Sequence, residues 1–151
     1  MHSPFSDPIK DFVKSHVMGV LATVDEQGSP FTSTIFYSVT RGNQIHFITK
    51  AQTKKSENLA GNKAAALTVV DLNGPVAVNM TGEAFEVTDI NERLEVLREI
   101  GIVASQTIHD YAPIVKLQKG SFCVFRFVLN QATMSDFSKK NDSPIESVKE
   151  Y

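Results

Sequence analysis

Residues 18–59, MGVLATVDEQGSPFTSTIFYSVTRGNQIHFITKAQTKKSENL, decide the architecture. Met18–Val24, Phe31–Val39 and Ile45–Thr49 are rich in β-branched and aromatic residues, and DEQGSP (25–30) and TRGN (40–43) between them are turn sequences. Three strands joined by short turns read as a meander of hairpins. The third strand runs into a polar loop. A helix pattern follows, capped by Thr53 and ending near Gly61 or Asn62. Lys54 and Lys55 stand in its first turn, where the helix dipole favours acidic residues. Free backbone N–H groups, a threonine hydroxyl and several ammonium groups suit a phosphate. A phosphorylated cofactor is therefore the first functional expectation.

Outward from this stretch, Ser6 or Asp7 and then Pro8 open a short helix whose apolar side is Ile9, Phe12, Val13 and Val17. Ala64–Val70 reads as a buried strand, DLNGP (71–75) as a turn, and Val76–Val87 as a long strand with a bulge or bend at Gly82. DINE (89–92) is a candidate capping box. It starts a helix with Ile90, Leu94, Leu97 and Ile100 along one side and Gly101 as its stop. Val103–His109 reads as a further helical turn or two, broken by DYAP (110–113). Ser121–Leu129 is the last long strand, extendable to Met134, and residues 136–151 form a polar tail, loose or lid-like. The whole chain, 1–151, is expected to be one domain. Six strands without strand–helix alternation, several apolar on both faces, predict a mainly β fold: a small antiparallel barrel with short peripheral helices.

The chain has 151 residues, 42% of them hydrophobic, and a formal net charge of −2. That balance argues against nucleic acid and against an attraction to membrane surfaces. No apolar run is long enough to span a bilayer, and the N-terminus lacks a basic-then-apolar signal, so cytoplasmic residence is expected. The single cysteine, Cys123, cannot form an internal disulfide and reads as a small buried hydrophobe. Four histidines and this cysteine show no metal-ligand spacing.

Lys50, Thr53, Lys54, Lys55 and Ser56 form the densest polar cluster, although solvated lysines on an exposed loop would look the same, and Glu57 could pair with one of them. On the second strand Thr32, Ser33, Thr34, Tyr37 and Ser38 surround Ile35 and Phe36. Small hydroxyl residues alternating with apolar ones suit a flat ring laid on a strand; they equally suit an ordinary half-buried strand. Ser105, His109 and Asp110 lie close in sequence without a G-x-S-x-G elbow, and His46 reads as a simple strand residue. No paired acids, phosphate-binding glycine loop or dinucleotide fingerprint is present, and no catalytic residue is assigned.

The succession GVLATVDEQGSP (19–30), TSTIFY (32–37), IHFITKAQTKKSENL (45–59), NKAAALTVV (62–70), PVAVNMTGEA (75–84) and PIVKLQKGSFCVFRF (113–127) resembles the flavin-binding split-barrel family related to pyridoxamine 5′-phosphate oxidase. The resemblance runs from Val13 to Phe137 and implies a six-stranded antiparallel split β-barrel. It also implies a homodimer with FMN at the subunit interface and a flavin-dependent oxidoreductase, with a reduced nicotinamide as candidate electron donor. By position, the ring falls near Ser33, Thr34 and Ile35, with Ile48 and Thr49 on the next strand. Lys54 and Lys55 match the Arg–Lys pair that holds the FMN phosphate, and Ala77 falls where the oxidase has a glutamine. The partner's candidate contribution is its central strand or the Ser105–Pro113 region. Ser33 and Ser38 stand where the oxidase has arginine and lysine, and the oxidase's arginine–histidine substrate segment has no counterpart. These departures argue against pyridoxamine phosphate as substrate. The alternatives are a non-catalytic flavin-binding or stress-associated protein, and a split barrel holding haem or the deazaflavin F420.

Overall fold

The computed structural model describes residues 6–40, 42–107 and 121–138, with the backbone alone for 103–107. Six strands close into an antiparallel barrel: β1 (Met18–Val24), β2 (Pro30–Val39), β3 (Ile45–Lys50), β4 (Ala64–Asp71), β5 (Val76–Glu86) and β6 (Phe122–Asp136), in the order β1-β2-β3-β6-β5-β4. Among the described residues three helices accompany it: α1 (Asp7–Lys14), α2 (Lys54–Gly61) and α3 (Ile90–Thr107). The mainly β, six-stranded expectation is met.

Alternation along each strand sends Leu21, Ile35, Phe47, Leu67, Val78 and Phe127 inward, each at most 3% exposed. Phe47 and Phe125 stack across β3 and β6 with ring centroids 5.3 Å apart. Helix α1 contributes Ile9 and Val13 to this core, and α2 contributes Leu59. Ser6 takes the N-cap position of α1, but its hydroxyl makes no capping bond. The β5–β6 register slips between Thr81 and Gly82, leaving Asn130 as the extra residue on β6. There a Cβ on Gly82 would lie 2.1 Å from the Val128 carbonyl oxygen, so only glycine fits and the sheet bends at that point. The signal in the sequence was Gly82, and the bulged residue is on its partner strand.

Tyr37 ties the barrel to α1: its hydroxyl donates to the Val13 carbonyl over 2.7 Å. Burial pushes this hydroxyl well above the usual tyrosine range. The unfolded chain releases that proton near pH 10, while the folded chain keeps it. The stability Tyr37 contributes is therefore full below about pH 10 and declines as pH climbs beyond it. Tyr37→Phe should cost about 1–2 kcal/mol at neutral pH and should flatten the alkaline loss in urea melts. An unchanged alkaline limb would contradict this assignment.

Helix α3 departs from the expectation in two ways. It continues through Gly101 as one helix instead of stopping there. Its buried side is Val96 and Ile100, packed with Val87 and Val124 against the outside of the barrel, while Ile90 and Leu94 are 63% and 57% exposed. The last strand runs on to Asp136, into the region assigned to the tail. The expected break at residues 110–113 and the tail beyond Ser138 lie outside the described residues.

Candidate functional site

The barrel is weakest between β2 and β3, which share only the register pairs Tyr37/Phe47, Ser38/His46 and Val39/Ile45. β2 stays paired with β1 along its N-terminal half, and β3 stays paired with β6 to Lys50. The two strands therefore part, and α2 leaves β3 beside the gap. Backbone polarity alternates along an antiparallel strand. The Tyr37 N–H donates to Val17 O on the β1 side (3.0 Å), and the Thr40 N–H donates to Gln44 O on the β3 side (2.8 Å). The main-chain groups of Thr32, Thr34 and Phe36 consequently point into the split, past the end of the β2–β3 register. Ser33 shares the inward parity of Ile35 and is paired with core Leu21, so its Oγ, buried without a hydrogen-bond partner among the described residues, lies on the barrel-interior side of the strand. Such a group is costly to leave unpaired.

At the mouth of the split, Thr53 caps α2 through a reciprocal capping box. The Ser56 N–H donates to Thr53 Oγ1 (3.4 Å) and the Thr53 N–H donates to Ser56 Oγ (3.0 Å). The Lys54 and Lys55 N–H groups remain as the helix's open donors. No carboxylate lies within ion-pair distance of either ammonium among the described residues, Glu57 included. Partial burial pulls the Lys55 ammonium below the usual lysine value. An anion at this helix start would reverse that penalty and meet two N–H groups and two ammonium groups.

The expected site residues are not all equally placed. Thr34, Lys54 and Lys55 border the split, whereas Ser33 turns its side chain to the barrel interior and its main chain to β1. The Ile35 side chain is in the barrel core at 3% exposure, and its main chain, like that of Tyr37, faces β1, so Ile35 does not border the open edge. Thr49 is buried, with its hydroxyl donating to Lys50 O (3.3 Å) and 3.1 Å from Thr53 Oγ1, so it supports the α2 cap. Ile48 faces the α3 cluster. Ala77 is on β5, three strands from β2 in either direction around the barrel, so one chain does not bring it to the split.

Ala77 instead belongs to a broad sheet face. From Thr32–Phe36 on β2, across β1 and β4, to Ala77–Thr81 on β5, the outward positions hold Met, Val, Ala, Phe, Thr and Asn, and no charge. Met18, Val20 and Val70 on this face are 46%, 45% and 50% exposed. An uncharged, β-branched sheet face of this breadth is the character of a subunit interface.

One polar cluster was not legible in the sequence. His46 is 2% exposed on the outside of β3, beneath α3. Its Nε2 lies 2.9 Å from Glu92 Oε1, its Nδ1 lies 3.1 Å from Thr40 Oγ1, and Arg126 Nη1 donates to the same Glu92 oxygen over 3.4 Å. Glu92 thus serves His46 and Arg126, while its N–H is capped by Asp89 Oδ1 at 2.8 Å. Among the described residues no group of three or more His, Cys, Asp or Glu could hold a metal ion, and no helix is long and apolar enough to cross a membrane.

Fold and site together define a split-barrel protein with a lysine-led helix start beside an open strand edge. The chain belongs to the pyridoxamine 5′-phosphate oxidase family, whose model matches residues 5–127. No curated protein matches the sequence. Among solved structures, a conserved hypothetical protein of Mycobacterium tuberculosis is 24% identical with a TM-score of 0.71, covering 93% of this chain and 92% of that one. The heme storage protein HutZ of Vibrio cholerae is 20% identical with a TM-score of 0.68, covering 86% of this chain and 93% of its own. A pyridoxamine 5′-phosphate oxidase-related FMN-binding protein of Nostoc punctiforme is 17% identical with a TM-score of 0.60, covering 82% of this chain and 76% of that one. At these identities the likeness shows a shared fold.

Proposed function

We propose that this protein is a homodimeric FMN-binding oxidoreductase acting on a small substrate, with a reduced nicotinamide as electron donor. The observation that carries the reading is the start of α2, where Lys54 and Lys55 offer unpaired ammonium and N–H groups beside the open edge of β2. Lys54 and Lys55 would hold the phosphate. The main chain of Thr32, Thr34 and Phe36 would meet the polar edge of the ring. Bound there, FMN supplies hydride or single-electron exchange. A second copy laid on the uncharged sheet face would cover the split and bring its own Ala77 strand towards it.

The family fold also accommodates haem in a structural neighbour, the Vibrio cholerae protein. FMN is favoured over haem because the histidines among the described residues are engaged at both ring nitrogens. His16 Nδ1 lies 2.8 Å from Phe12 O and its Nε2 lies 3.4 Å from Asp71 Oδ2, while His46 is held by Thr40 and Glu92. Neither offers a free nitrogen to an iron.

Titration of flavin-free protein with FMN and with riboflavin tests this reading. Two charge-assisted contacts to the phosphate are together worth about 3 kcal/mol or more, so FMN should bind at least roughly a hundredfold tighter than riboflavin. Equal affinity for the two, or tight binding of haemin in place of both, would rule out the phosphate site.

A further inference from the structure

A cavity of about 460 Å³ opens between the end of α1, the C-terminal half of β2 and the middle of α3. Its β2 lining begins at Tyr37, immediately after Phe36, the last position assigned to the flavin, and Ser38 lies roughly 7 Å from Phe36 at the rise of an extended strand. Its size falls in the range of small-ligand sites. Val17, Val39 and Ile102 give it apolar walls.

Most of its polar groups are already committed. The Tyr37 hydroxyl donates to Val13 O, Thr40 Oγ1 is held by Gln44 O and His46, and the His16 ring lies between Phe12 O and Asp71. Among the described residues three groups remain. Ser38 is 7% exposed, and its Oγ is buried with no hydrogen-bond partner among the described residues. Lys14, at the end of α1, and Glu99, on α3, line the cavity from different elements, and neither is in an ion pair among the described residues.

We propose that this cavity binds a small zwitterion of the α-amino-acid type, its carboxylate on Lys14, its ammonium on Glu99 and Ser38 Oγ hydrogen-bonded to one of its polar ends. A simple anion would face Glu99 uncompensated, and a simple cation would face Lys14. A ligand carrying both charges satisfies both and gives the orphaned hydroxyl a partner, with its side chain against the apolar walls. None of the residues that would hold the phosphate takes part, so this site goes beyond the flavin reading.

The test uses the full chain as purified, with its flavin content recorded by absorbance. Each of the twenty L-amino acids is added singly at millimolar concentration, and melting temperature and amide NMR shifts are read. At least one should raise the melting temperature and move the Ser38 amide. Its decarboxylated amine and its N-acetyl derivative should do neither. Lys14→Met and Glu99→Gln, both changes outside the core, should each weaken that binding tenfold or more. The proposal is overturned if no amino acid produces a response or if the amine or the N-acetyl acid binds equally well. It is also overturned if the double variant binds undiminished, or if saturating FMN abolishes the response and so claims the cavity for the ring. A protein that binds no FMN yet responds to an amino acid would retain this site and lose only the flavin.

Discussion

Exchanging Lys54 and Lys55 together for glutamate should raise the Kd for FMN by roughly a thousandfold. In the proposed complex each ammonium would make a charge-assisted contact worth about 1.5–3 kcal/mol, and tenfold in affinity corresponds to about 1.4 kcal/mol. Removing both ammonium groups and putting carboxylates against the phosphate accounts for the factor. The flavin-free variant should melt no lower than the parent. Lysines in a first helical turn oppose the helix dipole and glutamates complement it, and neither lysine carries an ion pair among the described residues. Fluorescence titration with FMN reads the first effect and calorimetry the second. A variant with full FMN affinity would mean that the lysine cluster is only a solvated patch.

The second large effect concerns the uncharged sheet face. Val20 is 45% exposed in the middle of it, on the strand flanked by β2 and β4. A two-fold interface uses the same patch twice, so Val20→Glu places two carboxylates in the interface at once. Desolvating an unpaired charge costs several kcal/mol, and the dimer Kd should rise at least a thousandfold. Sedimentation should then show a species near the 16.6 kDa of one chain at micromolar concentration. In the proposed dimer the second copy covers the split, so FMN retention should fall with it. A Val20→Glu protein that remains dimeric would show that the chains associate through another surface.

The strands were legible because their signals are local. β-Branched runs bounded by turn residues gave β1 as far as Val24 and set the limits of β2 to β5 within a residue or so. The capped start of α2 was legible for the same reason, since Thr53 and Ser56 are neighbours in sequence. What failed depends on partners distant in sequence. The spacing of Ile90 and Leu94 suggested a buried stripe, but α3 docks through Val96 and Ile100, helped by Arg93 lying 5.2 Å over the Phe122 ring and Glu92 reaching His46. Gly101 has a poor helix propensity, yet such a propensity is a weak prior once a helix is docked. Polar residues after Leu129 looked like a strand end, while pairing with β5 carries β6 on to Asp136 past the Asn130 bulge.

The site divided along the same line. Lys54 and Lys55 announced themselves as misplaced charges. The strand edge beside them is visible only from register, because it is the early end of the β2–β3 pairing that frees the main chain of Thr32, Thr34 and Phe36. The His46–Glu92–Arg126 cluster joins residues 46 and 34 positions apart, and no spacing rule could have found it.

Native mass spectrometry of the protein purified without added cofactor tests the central claim most directly, since it weighs the assembly and its ligand together. A dimer carrying two FMN molecules, one for each split, is the expected species. A monomer, or a dimer that retains haem or F420 in place of FMN, would contradict it.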